Sequence, residues 1–251
     1  VREDRQQVCP NQSQPGITRW GSFAESVVVD HAATNLVALP AEVDFATAAG
    51  LGCRFATAYR AIVDQSHRRR GEWLAIFGCG GIGLSAVMIA VSRGIRVIAV
   101  DVSDSARKLA ESLGAEVTID AAGRDVSAQI RAHTGDGAHG TLDALGRADT
   151  LSDALASLRP GGRHVQVGLL LGAQANPAVD MTWVLSRELE IVGSHGMAAH
   201  SYPRMLTEIA AGTLVPGALV ARTIGLAEAG VALAAMSRPG GPGTTVVLIG
   251  D

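Results

Sequence analysis

Between residues 78 and 83 the chain reads Gly-Cys-Gly-Gly-Ile-Gly, the spacing G-x-G-x-x-G. Three glycines so placed do three jobs. Gly78 permits a tight turn, Gly80 lets the backbone approach a pyrophosphate, and Gly83 lets a helix pack closely on a strand. With Gly81 and Ile82 they open a helix whose unpaired N–H groups and dipole favour an anion. The apolar run WLAIF (73–77) precedes the turn and a helical pattern follows it, which is the context this chemistry requires. Eighteen residues past Gly83, at the end of RVIAV, stands Asp101. A carboxylate there accepts hydrogen bonds from both ribose hydroxyls of an adenosine and repels a 2′-phosphate, so the pattern predicts NAD over NADP. Its alternative role is to cap the next helix. Sites for S-adenosylmethionine share parts of the pattern. Cys79, inside the turn, reads as a small filler.

Cys53, in LGCRFATAYRA, poses a second question. It reads as a buried packing thiol, a nucleophile or a metal ligand. No motif places a base beside it, which disfavours a nucleophile. A catalytic zinc needs three protein ligands and an open position, and the sequence offers no His-Glu pair or Cys-x-x-Cys. His195, in GSHGM, is the nearest further polar candidate, with an ordinary strand-end histidine as its plain reading.

The elements that must position these residues are legible from alternation. Short apolar runs (WLAIF, RVIAV, EVTID, TLDALG, RHVQVGL, ELEIVGS) alternate with helical segments such as GIGLSAVMIAVSRG, DSARKLAESLGA, VSAQIRAHTGDG and ADTLSDALASL. This predicts an α/β fold, a doubly wound parallel sheet with helices on both faces. Residues 1–21 read as loop. GSFAESVVVD (21–30) and TNLVALP (34–40) read as short strands, and the stretch from EVDFATAAGLG through ATAYRAIVDQ as helical. Beyond 196, SYPRMLTEIAAG and LAEAGVALAAM predict helices and GTTVVLI a terminal strand.

A chain of 251 residues with 47% hydrophobic residues can bury a proper core without disulfide staples. A net charge of −3 gives no overall basic bias, and HRRR (67–70) reads as a solvated loop rather than a nucleic-acid patch. Three cysteines lack the spacing of a secreted scaffold, and no apolar run is long enough to span a membrane. The default location is cytoplasmic. The first residues, VREDRQQVCPNQSQPG, carry no initiator Met, which suggests a piece of something longer.

The segments GSFAESVVV, NLVALP, AAGLGCRFATAYRA, GCGGIGLSAVMIA, VIAVD, LGA, LRPGGRHVQVGL and ELEIVGSHG resemble, in order and spacing, the zinc-dependent medium-chain alcohol dehydrogenases. The resemblance covers nearly the whole chain. It implies the C-terminal part of a GroES-like catalytic domain over 1–50, a Rossmann NAD-binding domain over 51–195, and a segment over 196–251 returning to the catalytic domain. It implies hydride transfer between an alcohol or aldehyde and NAD. Cys53 matches the last of the three catalytic-zinc ligands and Cys9 the last of four structural-zinc cysteines. Thr57 matches a threonine beside the nicotinamide. Val167, Gly168 and Leu169 match backbone at the nicotinamide end, Ser194 lies near that end, and Leu145 flanks the cofactor. The family's first ninety or so residues, with the other zinc ligands, have no counterpart here. The expectation is therefore a chain that binds NAD and turns over alcohol poorly. Relatives pair through the edge strand, so a homodimer or homotetramer through ELEIVGS is expected, with no nucleic-acid or membrane partner. The alternatives are a zinc-free quinone or enoyl reductase of the same superfamily, a non-enzymatic NAD-binding module, and a methyltransferase.

Overall fold

The computed structural model describes residues 5–123, 125–236 and 241–250. The first four residues of the loop expected over 1–21 lie outside them. By contact density the chain divides into two units, Thr57–Ser194 and the paired segments Val1–Ala56 with His195–Asp251.

Val-rich composition favours strands only where a neighbour can pair with the backbone. The runs 21–30 and 34–40, expected as strands, form none. No other segment among the described residues pairs with them, Val28 stays 77% exposed, and Thr34 and Asn35 finish the short helix α1 (Ala32–Asn35). The helical expectation for the next stretch holds. Asp44 caps α2 (Phe45–Gly50), accepting from Thr47 N at 2.8 Å and from Thr47 Oγ1 at 2.9 Å. Wide helical turns then lead through 51–56 into α3 (Thr57–Arg60) and on to Gln65, with Gly52 leaving helical geometry. After it, Arg68 is not solvated as expected for HRRR. Its Nη1 donates to His139 O and its Nε to Ser66 O, both at 2.8 Å, while Arg69 and Arg70 are exposed.

The six apolar runs form one parallel sheet. Its strands are β1 (Trp73–Phe77), β2 (Arg96–Asp101), β3 (Val117–Asp120), β4 (Ala138–Asp143), β5 (Leu158–Gln166) and β6 (Glu190–Gly193), in the order β3-β2-β1-β4-β5-β6. β1 is buried along its whole length because helices cover both faces, which is why it reads as a continuous apolar run. On one face Ala75, Phe77, Ile98, Val100 and Ile119 meet Val126 and Ile130 of α6 (Val126–Thr134) and Ala154 of α7 (Ala148–Ala156). The alternate residues Leu74, Ile76, Val97 and Ala99 are fully buried too. The crossover helices α4 (Gly81–Ser92) and α5 (Asp104–Ser112) pack on β1, β2 and β3. α4 is buried from Gly83 to Ala90 without interruption, so it reads as apolar all round rather than amphipathic. α8 (Met181–Ser186) precedes the edge strand β6.

In the other unit, α9 (Tyr202–Ala210) buries Met205, Leu206 and Ile209 on one side. β7 (Val220–Gly225) and β8 (Thr244–Leu248) form a parallel pair, with α10 (Ala229–Ala235) between them in sequence. Among the described residues no helix is long and apolar enough to cross a membrane.

Candidate functional site

In a parallel sheet every strand ends at the same edge, so the residues following β1, β2, β4, β5 and β6 gather along one rim. The strand order reverses at β1, between β2 and β4. The crevice outside such a reversal is where open α/β sheets take ligands.

The glycine turn lies at that point. Gly78 leaves β1 with φ of +92°, a left-handed conformation that favours glycine, and its N–H donates to Val100 O at 2.8 Å. A Cβ at Gly83 would stand 1.7 Å from Gly78 O, so α4 can start against the end of β1 only because that side chain is absent. Gly80 differs. A Cβ there meets nothing within 4 Å, and its own φ of −80° suits any residue. The space beside its Cα is open. The first bond of α4 runs from Leu84 N to Gly80 O, so the N–H groups of Gly81, Ile82 and Gly83 have no partner inside the helix.

Asp101 ties this turn to the end of β2. Its Oδ2 accepts from Cys79 N at 2.6 Å and its Oδ1 from Ser103 N at 2.8 Å. The cap of α5 is Ser103, which accepts from Ala106 N, so Asp101 is not held by that role. A carboxylate accepts about four hydrogen bonds, which leaves two for a ligand's hydroxyls. The neighbouring cation, Arg107, donates to Asp101 O at 2.7 Å and lies 3.4 Å from Asp120 and 3.6 Å from Asp104. Cys79 is buried, and burial followed by the Asp101 charge pushes its thiol up to about 12. It stays protonated and fills space.

The turns after β4 and β5 touch backbone to backbone. A Cβ at Gly146 would fall 2.4 Å from Leu169 O, and one at Gly168 would fall 2.2 Å from Gly146 N. Val167 N and Gly168 N donate to Asp143 O at 3.0 and 2.8 Å. The Leu145 side chain lies over Gly78, 2.6 Å from where a Cβ would sit. Ser194 is buried, donates from its N to Gln166 O and accepts from Arg60 Nη1 at 3.3 Å. Thr57 is buried at the start of α3, which packs against α4. Gly78 to Gly83, Asp101, Leu145, Val167, Gly168, Leu169 and Ser194 thus share one rim of one unit.

Cys53 and Cys9 fall in the other unit, Cys53 exposed and Cys9 partly buried. His195 hydrogen-bonds Gln7 O through Nδ1 at 2.9 Å. Among the described residues no three His, Cys, Asp or Glu gather as metal ligands. Neither cysteine is therefore joined by the donor set that a zinc ion requires, and these residues do not by themselves fit that ion.

Three buried polar residues at this rim escape a reading by motif. Thr141, Asp143 and His164 are fully buried on β4 and β5, and Gln166 lies beside them. Their signal is a polar residue at every second place in T-L-D and H-V-Q, inside otherwise apolar strands. Burial pushes the His164 pKa below its ordinary value, with Gln166 and Asp143 partly opposing the shift. His139 shifts the same way for the same first cause. Both take up a proton less readily in the fold than when unfolded, where they titrate near pH 6.5. Their stabilisation is present above that pH and is lost as pH falls below it. Urea unfolding midpoints measured from pH 7.5 to 5 are expected to drop below about pH 6.5, and less steeply in His164→Gln. An equal slope in that variant would remove His164 from the account.

The sheet order and the glycine turn at its reversal define a doubly wound α/β domain of the Rossmann class. Residues 81–211 match the family model of zinc-binding dehydrogenases, and the chain belongs to that family. It is 34% identical over 190 residues to an alcohol dehydrogenase of Schizosaccharomyces pombe (strain 972 / ATCC 24843), covering 75% of this chain and 53% of that protein. To an alcohol dehydrogenase of Moraxella sp. (strain TAE123) it is 35% identical over 162 residues, or 64% of this chain and 47% of the relative. The chain therefore spans about half the length of these curated relatives. A solved NAD-dependent alcohol dehydrogenase superposes with a TM-score of 0.85 at 28% identity, covering 97% of this chain and 69% of that one.

Proposed function

We propose that this chain carries the cofactor half of an NAD-dependent alcohol dehydrogenase, moving hydride between an alcohol or aldehyde and NAD. The observation that carries the reading is the open cradle at Gly80 beside the two unused acceptor positions of Asp101. The start of α4 holds the pyrophosphate, Asp101 the adenosine ribose, and the turns at Leu145 and at Val167 to Leu169 face the nicotinamide end with Thr57 and Ser194. NAD, when bound, supplies the hydride acceptor, and the protein's part is to bind and orient it. The alcohol rests on the names of the relatives alone. Cys53 and Cys9 are proposed as single ligands whose co-ligands lie outside the described residues.

Calorimetric titration with NAD, ADP-ribose and S-adenosylmethionine tests this. Binding of the first two and not the third is expected. Binding of S-adenosylmethionine without NAD overturns the reading in favour of a methyl-transfer site. We further propose a homodimer through β6, supported by its place at the sheet edge and by the exposed apolar residues Ile191, Met181 and Leu185 on β6 and α8. A cytoplasmic setting suits three free cysteines.

A further inference from the structure

Thr141 stands opposite His164, and Asp143 opposite Gln166, in the register of β4 and β5. Residues two apart on a strand share a face, so these four side chains form a short ladder on one side of the sheet, running toward the ligand rim. Its hydrogen bonds are continuous. Thr141 Oγ1 lies 2.9 Å from His164 Nδ1, and His164 Nε2 lies 3.0 Å from Gln166 Oε1. Gln166 Nε2 donates to Asp143 Oδ2 at 3.0 Å and to Gly168 O at 2.9 Å. Asp143 Oδ1 accepts from Leu145 N at 2.7 Å and Gly146 N at 2.9 Å. The direction of each bond follows from its neighbours. The Gln166 amide nitrogen serves two oxygens, so its oxygen accepts from the N–H of His164, whose other nitrogen accepts from the Thr141 hydroxyl.

Both ends of the Gln166–Asp143 pair therefore grip a loop. Asp143 holds the turn 144–146 and Gln166 the carbonyl of Gly168, and the two turns meet at Gly146 and Gly168 with no room for a side chain between them. A buried carboxylate and a buried imidazole are costly to leave unpaired. The chain thus has one satisfied arrangement, and that arrangement sets the two turns against each other.

We propose that the buried chain His164–Gln166–Asp143 positions the turns 144–146 and 167–169 to receive the nicotinamide half of the cofactor, without touching the cofactor itself. The inference rests on the NAD reading above. Among the described residues its side chains make no hydrogen bond to the glycine turn or to Asp101, and the turn it holds meets the glycine turn through the Leu145 side chain over Gly78.

Two variants test it. Gln166→Met keeps the volume and removes both donated bonds. Asp143→Asn keeps the shape and the bonds to Leu145 and Gly146, but sets an amide N–H₂ against Gln166 Nε2 and so forces that amide to turn away from Gly168 O. The second serves if the first does not fold. Dissociation constants for ADP-ribose and NADH are measured by calorimetry, together with the fluorescence gain of NADH on binding. The expected result is ADP-ribose affinity within about twofold of the parent, NADH affinity about tenfold weaker, and a reduced fluorescence gain. Equal loss for both ligands would mean general damage, and no change in either would mean that the ladder positions nothing. Both overturn the inference while leaving the NAD reading in place. A parent chain that binds neither ligand overturns the NAD reading and the inference with it.

Discussion

Gly83→Ala is expected to cost the chain much of its stability, and Gly80→Ala only its cofactor. At position 83 the new methyl would lie 1.7 Å from the carbonyl oxygen of Gly78, a backbone atom at the end of the central strand. No rotamer relieves that contact, so α4 must move. That helix is buried from residue 83 to residue 90, and displacing it disturbs packing on β1 and β2 together. Overpacking a core costs about 1–3 kcal/mol, and a clash with backbone belongs at or above the upper end. For a chain of this size 3 kcal/mol lowers Tm by about 6–12 °C. At position 80 the methyl meets nothing within 4 Å and the backbone angles suit alanine, so Tm should hold. The same methyl occupies the face that a pyrophosphate must approach, and NAD affinity should fall by about 100-fold, roughly the loss of two hydrogen bonds. Thermal melts by circular dichroism and NAD titration on both variants read the two effects separately. A Gly80→Ala chain that binds NAD like the parent would remove the pyrophosphate from this turn.

The second large effect is expected at Asp101. Asp101→Asn should weaken NAD by about 10- to 100-fold, since hydrogen bonds to a charged group contribute about 1.5–3 kcal/mol. NADP should change less, because losing the carboxylate removes both its repulsion of the 2′-phosphate and its bond to the remaining ribose hydroxyl, and no cation takes its place. Arg107 is held by Asp104, Asp120 and the Asp101 carbonyl. The preference for NAD therefore collapses by loss on the NAD side. Competition titrations with the two cofactors measure the ratio. An unchanged ratio would place the adenosine ribose elsewhere. The variant also exchanges one acceptor for a donor opposite Cys79 N or Ser103 N, so a modest fall in Tm accompanies it.

The glycines and Asp101 stand out in the sequence because each answers a separate backbone demand: a positive φ at Gly78, an empty volume at Gly83, a carboxylate at the end of β2. The sheet was legible for a similar reason, since strands covered on both faces leave apolar runs broken by helices. Residues 21–40 show the opposite case. Their composition is strand-like, yet strand formation depends on a pairing partner that no local pattern reports. The ladder on β4 and β5 was hidden because it exists only in register. His164 and Gln166 have no meaning in the sequence until Thr141 and Asp143 stand opposite them. Cys53 could be matched to a ligand by resemblance, but ligation is a property of several residues together, and the described residues do not bring them together.

Pairing β1 with β4 also sets the longest loop that the sheet must close. β1, β2 and β3 close through successive crossovers, as do β4, β5 and β6, so each half of the sheet can assemble from near neighbours in the chain. The seam between the halves joins residues 74–77 to 140–143, contacts far apart in sequence. Closing so long a loop must be paid in chain entropy before any pairing energy returns. The line along which the crevice opens is thus the pairing with the longest loop to close, and the rim that would receive a ligand is complete only when the two halves have met.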